Sequence, residues 1–140
     1  MDVPIYGGYL FGGWALEQQG KFSEAIEWFQ KGVALSGHIV YCRSALGHAY
    51  GVSGDKTHAR QILNELKALA ARQYVPSYDI AIVYLGLGEK EEGYRWLEKA
   101  LDERSAWMVY LNMDPRLDGL RSEPRFKDLV RKVGLPDSSG

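Results

Sequence analysis

The stretch LGHAYGVSGDKTHA, residues 46–59, decides the fold of this chain. It places one small residue, Gly47, seven positions before Gly54 and another, Ala59, five positions after it. Glycine ends a helix well because it adopts the left-handed conformation without steric cost, and Asp55 is a good cap for a following helix. The stretch therefore predicts two helices joined by a tight turn, with small residues where the helices approach each other.

The same turn occurs three times, because Gly20, Gly54 and Gly88 stand 34 residues apart. Small residues flank each turn at the same distances: Gly13, Gly47 and Ala81 before it, and Ala25, Ala59 and Gly93 after it. A period of this length is typical of stacked helical hairpins, since one hairpin is too small to bury its own apolar face. The spacing predicts antiparallel pairs of helices at about 5–18 and 22–35, 39–52 and 56–71, and 76–86 and 90–103.

The period ends where a fourth unit would begin. Pro115 stands at the small-residue position and would break a helix there. Two short helices are predicted instead, the first capped by Asp114 and the second begun by Ser122, with Gly134 ending the run. Apolar residues recur at helical spacing in the second helix: Phe126, Leu129, Val130 and Val133. We expect this region to be a cap that shields the last hairpin from water.

These units resemble the tetratricopeptide repeat (TPR) family. Residues 46–59 and 20–29 match its helix and turn pattern, and residues 96–101 match its second helix. The resemblance implies an all-α fold, a right-handed α-solenoid of three TPR helical hairpins with a short helical C-terminal cap. In a single domain over residues 1–140, we expect repeats at about 5–37, 38–72 and 73–105, a cap at about 106–135 and a flexible tail at 136–140.

The run Asp114-Pro115-Arg116 resembles the end of TPR segments in large bacterial signalling proteins, among them winged-helix transcription regulators, protein kinases and nucleotide cyclases. The resemblance implies a protein-interaction or regulatory module within such a larger protein. A cytoplasmic location is expected, since the lone Cys42 is compatible with a reducing compartment. The sequence identifies neither the parent protein nor the partner.

In TPR proteins the first helix of each hairpin lines a concave groove. Carried over to this sequence, the partner-binding groove consists of Leu10, Trp14, Glu17, Tyr41, Ser44, His48, Tyr78, Ile82 and Leu85. A clamp for a terminal carboxylate is not expected, because none of these residues is a lysine, an arginine or an asparagine. The groove favours a protein or peptide with apolar anchors. An adjoining repeat or a helix of the same chain is an equally good occupant.

Self-association is the alternative function. The apolar first helix has no cap before it, so it is expected to pair with a second copy through Tyr6, Tyr9 and Phe11 and form a homodimer.

Composition and motifs argue against other functions. The net charge of −1 offers no broad positive field for nucleic acid. His38, His48 and His58 lack second ligands at the spacing of a metal site. Cys42 beside Arg43 is either a low-pKa thiol or a packing residue. Residues 3–16 form an apolar run shorter than the roughly 18 residues of a membrane span. We expect neither an enzyme nor a cofactor, metal or membrane partner.

Overall fold

The computed structural model describes residues 5–104, 108 and 111–134. Its elements are α1 (Ile5–Gln18), α2 (Phe22–Leu35), α3 (Val40–Ser53), α4 (Lys56–Ala70), α5 (Ser77–Gly86), α6 (Lys90–Asp102), a 3₁₀ helix (Pro115–Leu120) and α7 (Pro124–Val133). The predicted bounds of the six hairpin helices differ from these by at most one residue. No strand occurs in the described part of the chain. The prediction of an all-α fold built from helical hairpins is confirmed.

The turn within each hairpin has the conformation that its glycine predicts. Gly20, Gly54 and Gly88 have φ angles of 77°, 96° and 80°, in the left-handed region. The carboxylate of Asp55 accepts a hydrogen bond from the backbone N–H of His58 at 3.2 Å. The residues at the equivalent positions before α2 and α6 make no such bond. Asp55 is therefore a cap for the second helix of its hairpin, as predicted.

The helices of a hairpin approach closely where the sequence places small residues. A Cβ atom at Gly13 would lie 2.5 Å from the ring of Phe29, so that ring occupies the space of a missing side chain. Tyr6, earlier in α1, lies beside Gly32, later in α2. Since residues further along α1 contact residues earlier in α2, the two helices are antiparallel.

The first helices of the three hairpins lie side by side and run in the same direction. Tyr6 of α1 packs edge-on against Tyr41 of α3 with ring centroids 6.4 Å apart. Helices α3 and α5 approach more closely, because a Cβ atom at Gly51 would lie 2.5 Å from the backbone of Gly86. Helices α1, α3 and α5 therefore form one continuous layer.

Two clusters of buried apolar side chains form the core. The first runs from α1 to α5 and includes Phe29, Leu63 and Leu66. The second joins α5 and α6 to the C-terminal region, and its members after α6 are Met108, Leu111, Leu117, Leu120, Phe126, Leu129 and Val130. The C-terminal helices thus cover the third hairpin as a cap.

One predicted helix start is wrong by a residue. Ser122 does not cap α7; the capping position is Glu123, whose side chain makes no capping bond. Pro124 explains the shift, because proline disfavours a helical conformation in the residue before it and is itself suited to the first helical position. Glu123 is accordingly extended, with φ −81° and ψ 136°. Two other predicted helix boundaries are confirmed. Asp114 caps the start of the 3₁₀ helix, and Gly134 ends α7 with a φ of 85°.

Candidate partner-binding cleft

The layer of first helices and the cap together enclose a cleft of about 460 Å³. Its lining comes from four elements: Gly7, Leu10, Phe11, Trp14 and Gln18 of α1, Tyr41 of α3, Tyr78 and Asp79 of α5, and Met113, Asp114, Pro115 and Arg116 of the cap. The residues Met113 to Arg116 are called the cap wall below. The cleft therefore combines aromatic side chains with a small number of charged groups.

A broader depression of about 570 Å³ lies on the outer face of α4. All of its lining residues, among them Thr57, Arg60 and Ala68, belong to that one helix and are exposed. One helix face cannot surround a ligand, so the cleft is the better candidate site.

The cap wall is held in place by a largely buried salt bridge. The Arg116 guanidinium donates to both carboxylate oxygens of Asp114, from Nε to Oδ1 at 2.9 Å and from Nη2 to Oδ2 at 2.8 Å. Asp114 also accepts the hydroxyl proton of Tyr78 at 2.6 Å. The Arg116 guanidinium carbon lies 5.4 Å from the ring centroid of Trp14. The pair thus connects the cap to α5 and to α1.

These contacts change the acidity of the groups involved. Burial raises the pKa of Tyr78, and the negative charge of Asp114 raises it further. Burial alone would also raise the pKa of Asp114, but the hydrogen bonds and charge of Arg116 outweigh burial and lower it. At neutral pH, Asp114 is therefore an ionised acceptor and Tyr78 a neutral donor.

Asp79 differs from Asp114 although both are buried carboxylates at the cleft. Only 5% of the surface of Asp79 is exposed. Burial raises its pKa to about 7, with the positive charge of Arg116 opposing the change. The hydroxyl of Ser44 donates to the backbone carbonyl of Asp79 at 2.8 Å and not to its carboxyl group. Asp79 therefore keeps its proton to a much higher pH than Asp114 does.

The structure brings some of the predicted groove residues to the cleft and not others. Those that line it are Leu10, Trp14, Tyr41 and Tyr78. Those that do not are Glu17, Ser44, His48, Ile82 and Leu85. His48 is buried and its Nδ1 lies 2.6 Å from Oε1 of Glu17. Ile82 is fully buried in the core, and Leu85 packs where a Cβ atom of Gly93 would be.

The residues predicted for self-association have different surroundings. Tyr6 and Tyr9 are half-buried and pack within the chain, Tyr6 against Tyr41 and Tyr9 against Trp28. Phe11 is 69% exposed and touches Trp14 edge-on, with ring centroids 5.5 Å apart. Phe11 is thus the most accessible aromatic group at the cleft.

Sequence reasoning missed the cap wall and Asp79 as lining residues. The cap wall contacts α1 through Arg116 and Trp14. These residues are far apart in the sequence, so no local spacing pattern predicts the contact. Asp79 carries a signal that could have identified it, since it is the one charged residue of α5, whose sequence is SYDIAIVYLG. A carboxylate in an otherwise apolar helix is a candidate for a functional site.

Comparison with known proteins supports the hairpin assignment. Residues 8–38 match the tetratricopeptide repeat family. The match covers most of α1, all of α2 and the turn between them, and the other two hairpins of the chain follow at the same period. No curated protein and no solved structure matches the chain. The first hairpin is therefore similar to a tetratricopeptide repeat, and the helices of the described chain pack in sequence-adjacent pairs as in a TPR-type solenoid.

The remaining reactive residues show no assembled chemistry among the described positions. Burial raises the pKa of the Cys42 thiol, so the hypothesis of a low-pKa thiol is wrong and Cys42 packs in the first core cluster. No group of three or more histidine, cysteine or acidic residues is arranged to hold a metal ion in the part of the chain that the structure describes. None of the described helices is long and apolar enough to cross a membrane.

Proposed function

We propose that the chain is a protein-interaction module that binds a segment of a partner polypeptide in the cleft. TPR repeats generally mediate protein–protein interaction, and proteins built from them are generally non-enzymatic scaffolds. The observation that carries the proposal is the pair of exposed apolar side chains at the cleft, Phe11 at 69% and Met113 at 67% exposure. Exposed apolar side chains beside a concave surface are typical of a site that a partner covers.

The apolar anchors of the proposed interface are Phe11, Trp14 and Met113. Aromatic side chains supply large contact areas at a small loss of conformational entropy, so they dominate many interfaces. Tyr78 and Ile82, which are buried, contribute by holding the cleft in shape.

The experiment is selection of binding peptides from a phage-displayed library of random peptides, followed by titration of a selected peptide against variants. Phe11→Ala and Trp14→Ala should each weaken binding by roughly 1–3 kcal/mol. Tyr74→Ala is the matched control, because Tyr74 is 65% exposed between α4 and α5 and does not line the cleft. Failure to select any peptide, or equal effects of the three variants, would contradict the proposal.

The proposal includes a regulatory setting, in which the module belongs to a larger bacterial signalling or transcription-regulatory protein. This part is supported by the resemblance of the Asp114-Pro115-Arg116 run to the ends of TPR segments in such proteins. Its test is whether the same polypeptide in its native host carries a kinase, cyclase or winged-helix domain.

Self-association is the second candidate, and the exposure of Phe11 also favours it. A symmetric dimer would bury Phe11 of both copies in one interface. Sedimentation equilibrium over a range of concentrations tests this candidate. A dimer that dissociates on Phe11→Glu would support it, whereas a monomer at every concentration would exclude it.

A further inference from the structure

Asp79 is a buried carboxyl group without a hydrogen-bond donor among the described residues. It is the third residue of α5, it lines the cleft, and 95% of its surface is removed from solvent. The nearby Ser44 hydroxyl is engaged by the backbone carbonyl of Asp79. The carboxyl oxygens of Asp79 are not fully enclosed by protein and remain accessible from the cleft. A largely buried carboxylate that receives no hydrogen bond from the fold is unfavourable, so its presence at a cleft calls for a functional explanation.

The other charged groups around the cleft already have partners in contact. Asp114 is held by the Arg116 guanidinium and the Tyr78 hydroxyl. Glu17 is held by the imidazole of His48. Arg116 acts on Asp79 through its charge, but its guanidinium bonds to Asp114. Ionised Asp79 therefore leaves the cleft with one negative charge that the fold does not pair.

The walls of the cleft also suit a cation. Trp14, Tyr41 and Tyr78 line it, with Phe11 at an exposed position. The faces of aromatic rings attract ammonium and guanidinium groups within about 6 Å, and the attraction grows when the cation is removed from water. Arg116 already lies against the ring of Trp14 in this manner.

We propose that the cleft binds a lysine or arginine side chain of the partner polypeptide, with its charged end at Asp79 and its aliphatic stem against Leu10, Phe11 and Met113. This inference rests on the proposed function and adds the chemistry of the partner. The partner's cation supplies the hydrogen-bond donor that Asp79 lacks within the chain, so pairing converts an unfavourable buried charge into a charge-assisted contact.

The proposal is tested with a phage-displayed library of random 12-residue peptides at pH 8, where Asp79 is mostly ionised. Selections are run in parallel on the wild-type chain and on Asp79→Asn, which preserves shape and removes the charge. The wild-type selection should yield peptides with a lysine or arginine at one shared position. The Asp79→Asn selection should lose that preference.

A selected wild-type peptide is then compared with a version in which the shared basic residue is replaced by norleucine, which keeps an apolar stem. The replacement should weaken binding to the wild-type chain about tenfold or more and should have little effect on binding to Asp79→Asn.

Gln18, an exposed residue of the cleft, provides a second pair of variants that do not affect the core. Gln18→Glu should strengthen binding and Gln18→Lys should weaken it, each a few-fold.

The outcomes separate this inference from the proposed function. Selected peptides that share apolar residues but no basic residue would overturn the inference and leave peptide binding intact. Peptides with an acidic residue at the shared position would overturn it in favour of Arg116 as the recognition group. Absence of any selected peptide would contradict the proposed function itself.

Discussion

The Tyr78 hydroxyl donates a 2.6 Å hydrogen bond to the Asp114 carboxylate, and this bond joins the third hairpin to the cap. Both residues are buried, with 2% and 8% of their surfaces exposed. Since Asp114 also holds Arg116 in the cap wall, the bond positions one whole side of the cleft.

Removing this hydroxyl should destabilise the chain. Tyr78→Phe keeps the ring in the core and deprives the Asp114 carboxylate of a donor, so the free energy of unfolding should fall by roughly 1–3 kcal/mol. Tyr50→Phe is the matched control, because the Tyr50 hydroxyl accepts an exposed hydrogen bond from Gln30. Urea denaturation of both variants measures the difference. Equal effects would mean that the bond between hairpin and cap contributes nothing specific.

Asp79→Asn should change how stability depends on pH. The pKa of Asp79 is about 7 in the folded chain and about 3.8 when unfolded, so the folded state binds the proton more tightly. The contribution of the Asp79 carboxyl group to the free energy of unfolding is complete below about pH 4 and is lost as the pH rises through about 7. Relative to wild type, the variant should therefore gain stability over that range, by on the order of 4 kcal/mol at its upper end.

Urea denaturation at several pH values checks the Asp79 prediction. The exposed Asp102→Asn variant is the control, and its stability relative to wild type should change little with pH. A constant difference between Asp79→Asn and wild type from pH 4 to pH 8 would contradict the burial of an unpaired carboxyl group at the cleft.

Gly51→Ala should disrupt the layer of first helices. The new Cβ atom would lie 2.5 Å from the backbone of Gly86, which cannot move aside as a flexible side chain could. Separation of α3 from α5 should cost roughly 1–3 kcal/mol. Gly8→Ala is the opposite case, because Gly8 is helical with open space around it and alanine should stabilise α1 by about 0.5–1 kcal/mol. Thermal unfolding should move in opposite directions for the two variants.

Ala59→Leu tests the repeat register. Ala59 is fully buried at the small-residue position of the second hairpin, so the larger side chain should lower stability by roughly 1–3 kcal/mol. Ala68→Leu, on the exposed face of the same helix, is the control. A denaturation midpoint that Ala59→Leu leaves unchanged would show that this position does not face the other helix.

The hairpins could be predicted from the sequence because their determinants are local and repeated. Gly54, Asp55 and Ala59 each fix a turn, a cap or a close contact within a few residues, and the 34-residue period repeats that arrangement. The capping preference of Ser122 alone places the start of α7 one residue too early, because Pro124 favours an extended conformation in the residue before it, Glu123.

The cleft could be predicted only in part. Leu10, Trp14, Tyr41 and Tyr78 follow from the repeat register, since they lie on the first helices. The cap wall depends on how the last helices return across the layer. That return is set by long-range contacts such as Arg116 on Trp14, which leave no periodic signal in the sequence.

The most direct test of the account is to locate a selected peptide on the chain by NMR chemical-shift mapping. If the partner binds in the cleft, the largest shifts fall on cleft residues, above all Phe11, the indole N–H of Trp14 and Met113. The Trp14 indole is a sensitive reporter because its Nε1 is buried without an acceptor among the described residues. Shifts confined to the outer helices, such as the α4 face around Arg60 and Ala68, would contradict the claim that the cleft is the binding site.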